Sequence, residues 1–302
     1  MNSQATLDNE STATTRPRFS TGSVTSRDGT TIGYRELGSG PGVLLLHGTA
    51  SSGHNHLELA ESLADAFTVI VPDRRGRGLS GPYGADDGIQ QEIEDLDALL
   101  VRTGAHNVFG VSSGGLICLE AALTLPAIQK AAIFEPPFFR DGSLPTSLLT
   151  RFDEEIAQGN VAAALITAMR GAQMGPPIFN ALPRWLAERL TRGFMASEQR
   201  KDAGGYVPMR ALAPTMHYDS KIVAEVNGRL PALGAMQADI LLLGGSKSPA
   251  YLRNALDDLS TVLPSAERVE LQGLDHAASW NRDRGGRPEP VAREVRRFFA
   301  PS

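Results

Sequence analysis

The sequence predicts an α/β protein: a mostly parallel, twisted sheet with helices on both faces and a helical cap inserted late in the chain. Three observations carry that expectation. Short, continuous apolar runs such as GVLLLHG, FTVIVPD, NVFGV and ADILLLGG have the pattern of strands buried on both faces. They alternate with amphipathic stretches of helical spacing, which is how parallel strands are joined. The alternation stops between Arg140 and about Leu230, where only helical patterns remain, and then resumes.

In chain order, FSTGSV and TIGYREL flank SRDGT, where Asp28-Gly29 marks a hairpin. GVLLLHG is the third strand. HLELAESLADA is a helix, FTVIVPD the fourth strand, and GIQQEIEDLDALLVRTGA a helix closed by Gly104. NVFGV is the fifth strand, SGGLICLEAALTLP a helix stopped by Pro126, and KAAIFE the sixth strand. After the helical stretch come ADILLLGG, the helix PAYLRNALDDLSTVLP, the strand ERVELQG and the closing helix EPVAREVRRFF. The expected organisation is a disordered tail over 1–18, a sheet domain over 19–140 and 231–302, and a cap over 141–230. The tail assignment rests on its Ser, Thr and Asn content and its lack of large apolar residues. Right-handed crossovers bring the C-terminal strand ends to one edge, where ligands of open α/β sheets bind.

Composition narrows the function classes. The net charge of −5 speaks against nucleic acid as a partner, and no apolar run is long enough for a bilayer. The single cysteine, Cys118, excludes an intramolecular disulfide framework and suits a reducing compartment. The opening residues lack the basic and apolar regions of a secretory signal, so the expected location is the cytoplasm. Neither a metal nor a cofactor is called for: His54 and His56 have nothing nearby to complete a metal site and read as solvent or pocket-rim residues. A homo-oligomer is compatible with the composition, which does not fix the subunit number.

Gly110-Val111-Ser112-Ser113-Gly114 fits G-x-S-x-G between a buried strand and an apolar helix. That setting places a serine on a tight strand-to-helix turn with its oxygen above the sheet edge. Ser112 has glycines two residues to either side, whereas Ser113 has Val111 where a small residue is needed, so Ser112 is the candidate nucleophile. His47-Gly48, at the end of the third strand, begins a loop of small residues whose backbone can face that serine. The N–H groups of Thr49 and Ser113 are the candidate oxyanion hole, and His47 reads as a loop-shaping residue.

HG after the third strand, PDRRGRGLS after the fourth and G-x-S-x-G after the fifth together resemble the α/β-hydrolase superfamily, over everything except the tail and cap. In that family the D-x-R-G-x-G-x-S loop, here Asp73, Arg75, Gly76, Gly78 and Ser80, buttresses the site. The resemblance implies the chain order serine, acid, histidine. His276, in the loop after ERVELQG, is then the base; His217 lies in the cap with no strand to position it. Family members usually carry an aspartate after the strand that here reads LLLGG, but this chain has Ser248 there. Asp257 and Asp258 lie too far along the next helix, and Asp275 adjoins His276 and cannot turn back onto its ring. Some relatives, among them those resembling zearalenone lactonases, carry the acid as a glutamate after the sixth strand, where this chain has Glu135. Otherwise Glu135 pairs with an arginine or caps the PP turn.

Ser112, Glu135 and His276 imply an ester or lactone hydrolase acting through an acyl-serine on a hydrophobic small molecule, a macrocyclic resorcylic lactone of the zearalenone type included. Trp185, Met209, Tyr206 and Trp280 are the candidate substrate-lining residues, along with Phe179 and Phe194; Trp280 reads equally as core. Five of the seven methionines fall in the cap and either pack it onto the sheet or line a deformable pocket. A C–C bond hydrolase or cofactor-free perhydrolase on the same scaffold, and a non-catalytic small-molecule receptor, are the alternative readings. Haloalkane dehalogenase and epoxide hydrolase chemistry is disfavoured, because both use a carboxylate where Ser112 stands.

Overall fold

The computed structural model describes residues 19–139, 146–173, 181–198 and 205–300. The 1–18 segment, for which a disordered tail is expected, and Phe179 lie outside them. Eight strands form one sheet in the order β1-β2-β4-β3-β5-β6-β7-β8. They are β1 (Ser20–Thr25), β2 (Thr31–Gly38), β3 (Gly42–Leu46), β4 (Thr68–Pro72), β5 (Asn107–Val111), β6 (Lys130–Phe134), β7 (Asp239–Gly245) and β8 (Glu267–Leu271). The first two strands and the β2–β4 pair are antiparallel, and every later pair is parallel. The β1–β2 hairpin closes at Gly29, whose φ of 90° suits glycine, and the Thr30 N–H donates to Asp28 Oδ1.

Strand side chains alternate between two cores, which explains why the central strands are apolar throughout. Leu44, Leu46, Val108, Ile133 and Leu242 face one core, and Val43, Leu45, Phe109, Phe134 and Leu243 face the other. The helices α1 (Leu57–Glu61), α2 (Ile89–Thr103) and α3 (Ser113–Thr124) follow β3, β4 and β5. α2 and α3 pack on the first core and α1 on the second. The first of these is shorter than the apolar spacing of HLELAESLADA predicts. Beyond Glu61 the chain tightens into turns, with the Leu63 N–H bonded to the Ala60 carbonyl and that of Ala64 to Glu61.

Between β6 and β7 the described residues form helices and no strand: α4 (Thr146–Ala157), α5 (Val161–Gly171), α6 (Arg184–Glu198), α7 (Met209–Leu212) and α8 (Met216–Val226), with 3₁₀ turns. The last of these reaches the sheet domain, where Ile222, Val223 and Val226 join the core above α2 and α3. Two helices complete the chain: α9 (Ala250–Val262) on the first core and α10 (Pro288–Phe299) on the second.

Candidate active site

Four non-glycine residues among those described have positive φ, and three of them, Ala50, Ser112 and Glu135, follow β3, β5 and β6 at one edge of the sheet. Such backbone is held only where its surroundings impose it, and it clusters at functional sites. Ser112 has φ 56° and ψ −125° and forms the N-cap of α3. Its N–H is bonded to the Phe134 carbonyl at 2.9 Å, which fastens the turn to β6. The flanking glycines are there for close approach. A Cβ on Gly114 would lie 2.5 Å from the His47 carbonyl oxygen, and one on Gly110 would lie 2.4 Å from that of Gly114. These contacts let α3 start directly against the ends of β3 and β5.

Glu135 follows β6, is fully buried, and uses both carboxylate oxygens. His276 Nδ1–H donates to Oε2 at 2.7 Å, and the Gly245 N–H donates to Oε1 at 2.6 Å. A carboxylate only accepts, so a ring proton sits on Nδ1, and in the neutral imidazole this leaves Nε2 with its lone pair. A Cβ on Gly244 would come within 3.1 Å of Glu135 Oε1, so the bare end of β7 is what admits the carboxylate. Ser248 is buried nearby and its hydroxyl has no hydrogen-bond partner among the described residues. No hydrogen bond joins Ser112 Oγ to His276.

The loop after β3 lies against the serine: a Cβ on Gly48 would meet Ser112 Cβ at 2.8 Å and Oγ at 3.6 Å. His47 holds this loop. The Arg74 N–H donates to Nε2 at 3.0 Å, so the proton is on Nδ1, which donates to the Gly48 carbonyl at 2.9 Å. Burial, then the Arg77 and Arg74 charges, hold its pKa well below the usual histidine value, so it stays neutral. The Thr49 and Ser113 backbone N–H groups have no protein acceptor among the described residues.

The sequence pattern of the alpha/beta hydrolase family matches residues 43–294. The chain belongs to that family. A pimeloyl-[acyl-carrier protein] methyl ester esterase of Stenotrophomonas maltophilia is 29% identical over 226 residues, covering 69% of this chain and 83% of the relative. A 2-(acetamidomethylene)succinate hydrolase of Mesorhizobium japonicum is 26% identical over 82% of this chain and 85% of its own. Among solved structures, an alpha/beta hydrolase from Sphaerobacter thermophilus superposes with a TM-score of 0.75 at 31% identity, covering 92% of this chain and all of that one.

In this α/β hydrolase, Ser112 opens into a cavity of about 180 Å³ between the sheet edge and α4, α5 and α8. Its walls include Phe139 and Tyr251, stacked with ring centroids 5.5 Å apart, together with Phe152, Leu148 and Met216. Burial, then the Glu135 charge, push the Tyr251 phenol up, so it keeps its proton. None of the four residues expected to line the pocket is part of this wall. Trp185 is 65% exposed, because α6 buries the stripe Ala187, Thr191 and Glu198 and Trp185 is roughly 200° of helical rotation from Ala187. Tyr206 bonds to Glu198 and Arg284 and packs edge-on to His54; Met209 donates its N–H to the same Glu198. Trp280 is half-buried in the turn after the His276 helix. The described cap methionines supply one wall residue, Met216; Met174 lies outside the described residues.

His56 is also not the rim residue expected from sequence. It is fully buried, donates from Nδ1 to the Ser279 carbonyl at 3.0 Å and accepts at Nε2 from Ser51 Oγ at 3.3 Å. Burial, chiefly, lowers its pKa to about 4. His54 is half-buried, and burial followed by the Arg35 charge lowers its pKa. No group of three or more His, Cys, Asp or Glu side chains among the described residues is arranged to hold a metal.

The loop after β4 is tied down by charge. Asp73 accepts from the Gly53 and Leu79 N–H groups, both at 2.8 Å, and from Arg35 at 3.0 Å; Arg75 bonds to Asp28, Asp87 and Asp95. Sequence reasoning passed over Arg74 and Arg77, two of the three variable positions of the motif. Arg74 is bidentate to Glu92 (3.0 and 2.6 Å) and also bonds to Asp219 of α8 at 2.7 Å, which Arg77 reaches too.

Proposed function

We propose that the protein hydrolyses a carboxylic ester or lactone of a hydrophobic small molecule through an acyl-Ser112 intermediate. The observation that carries this reading is the Glu135–His276 bond of 2.7 Å at the strand edge where Ser112 occupies a strained turn. His276 Nε2 takes the Ser112 proton as Oγ attacks the carbonyl and returns it to the leaving alkoxide; water then repeats the sequence on the acyl-enzyme. Glu135 holds the ring in the Nδ1–H tautomer and stabilises the imidazolium without taking the proton. The Thr49 and Ser113 N–H groups receive the charge that develops on the substrate oxygen. The Ser112–His276 hydrogen bond forms when substrate is seated, as catalytic bonds that are long in the free enzyme commonly tighten on binding.

The aromatic and aliphatic wall favours an apolar acyl or alcohol group. The name of the Stenotrophomonas relative, a methyl ester esterase, supports ester over carbon–carbon cleavage. The position of the acid, shared with zearalenone-type lactonases, puts a resorcylic lactone in the test panel beside simple aryl and methyl esters. A serine-directed fluorophosphonate should label the wild-type protein once, on Ser112, and abolish turnover. Ser112→Ala should retain the fold and lose both labelling and turnover. Labelling elsewhere, or full ester turnover by the alanine variant, rejects the reading.

A further inference from the structure

We propose that Asp219, reaching down from the cap helix α8, is a positioning residue for the oxyanion hole. The inference rests on the acyl-Ser112 reading above and adds a residue to it from outside the sheet domain.

The hydroxyl of Ser113 is the connection. It donates to Asp219 Oδ1 at 2.9 Å and accepts from Arg74 Nη1 at 3.1 Å and from Thr49 Oγ1 at 3.2 Å. One donation and two acceptances use every bond a hydroxyl can make, so its rotation is settled. Thr49 and Ser113 are the two residues whose N–H groups are assigned to the hole. Their side chains are bonded to each other, and the pair is bonded to a carboxylate on a different part of the fold. Asp219 is itself held at both oxygens, Oδ1 by Arg74 at 2.7 Å and Oδ2 by Arg77. Asp219, Arg74, Arg77 and Glu92 are each at least 98% buried, and two cations balance two anions. Burial alone would raise the Asp219 pKa, but the Arg77 and Arg74 charges and the bonds from Arg74 and Ser113 lower it overall, so the carboxylate stays ionised.

An oxyanion hole works because its donors are fixed before charge appears. The Ser113 N–H begins α3 and the Thr49 N–H sits beside Ala50, which has a φ of 52°. The Ser112 N–H ties the elbow to β6, and His47 ties the start of the β3 loop to Arg74, but the Thr49 N–H has no strand pairing of its own. The Thr49–Ser113–Asp219–Arg74 bonds add the link between the two donor-bearing loops that these separate anchors do not make. Because Asp219 also faces the cavity that contains Ser112, the same residue joins substrate space to the donors.

The test uses the full chain with an ester it turns over and a trifluoromethyl ketone analogue of that ester, which mimics the tetrahedral oxyanion. Ser113→Ala keeps both N–H donors and the Arg74–Asp219 pair and removes only the connection. It should lower kcat about tenfold, less than the 10²–10³ lost with a direct donor. KM should stay within about twofold, and affinity for the ketone should fall by the same factor as kcat/KM. Asp219→Ala, which removes the oxygen that accepts from Ser113, should do the same, and the double variant should lose no more than the worse single one, since both break one path. If Asp219→Ala does not fold, Ser113→Ala carries the test of the Asp219 bond, and Thr49→Val is its partner in the double variant. A kcat unchanged in Ser113→Ala, additive losses in the double variant, or changes confined to thermal stability would each overturn the proposal. Should the wild type fail to label at Ser112, the acyl-enzyme reading fails first and this one with it. Normal labelling and turnover combined with an indifferent Ser113→Ala rejects the positioning role alone.

Discussion

Glu135 and Asp219 show what a single charged residue in an apolar context announces. Glu135 ends the run KAAIF, and a carboxylate there must find partners or be expensive to bury; it finds His276 and the Gly245 N–H. Glu135→Gln preserves the shape but presents an amide to the ring, so kcat should fall about 10³–10⁴-fold in steady-state ester assays. Ser248→Ala should leave kcat within about threefold, because that hydroxyl has no partner to lose. The opposite ranking would move the acid to the end of β7. Asp219 was equally legible and was passed over. It shares a helical face with Ile222, Val223 and Val226, spaced three, four and seven residues on, so its burial and need for cations were written in the periodicity. His56 was not legible in this way, since its partner, the Ser279 carbonyl, is backbone from a loop more than two hundred residues away.

At the level of elements, the strands were readable because those buried on both faces are apolar throughout, and the strand-end motifs were readable because close approach demands glycine. Gly114→Ala would push a methyl against the Leu46 and His47 carbonyl oxygens, at 2.6 and 2.5 Å, which belong to backbone and cannot step aside. The variant should lose about 1–3 kcal/mol in urea unfolding, and its surviving folded fraction should label more slowly at Ser112. Pocket walls were harder to read than strands. Residue type in a helix says little about which way the helix is turned, and Trp185 on α6 faces solvent for that reason. The cavity is furnished instead by α4, α5 and α8 and by the Phe139–Tyr251 stack, residues unremarkable in composition.

At the scale of the whole molecule, two histidines are enclosed without charge. His47 is held well below its ordinary pKa and His56 falls to about 4 from 6.5, in both cases mainly through burial. Between those two values the unfolded chain binds a proton at residue 56 that the folded chain refuses. Stability is therefore complete above pH 6.5 and declines as pH falls toward 4, by on the order of 3 kcal/mol for His56. Urea midpoints at pH 7.0, 5.5 and 4.5 should descend in that order, and His56→Gln should flatten the descent. The cap is also anchored unevenly. α8 carries Asp219, and breaking a buried ion pair costs about 3–5 kcal/mol, so its amides should exchange with deuterium more slowly than those of α4. The elbow has a different kind of consequence for the protein as a whole. Ser112 sits at φ 56° and ψ −125°, where glycine is at ease and serine is not, and its hydroxyl makes no compensating cap bond to α3. Ser112→Gly should raise the unfolding free energy measured in urea by about 1 kcal/mol and, on the acyl-serine proposal, silence the enzyme. On the acyl-serine proposal, a lineage released from the need for turnover would gain durability by surrendering this one oxygen, and serine would persist there only while its chemistry is being used.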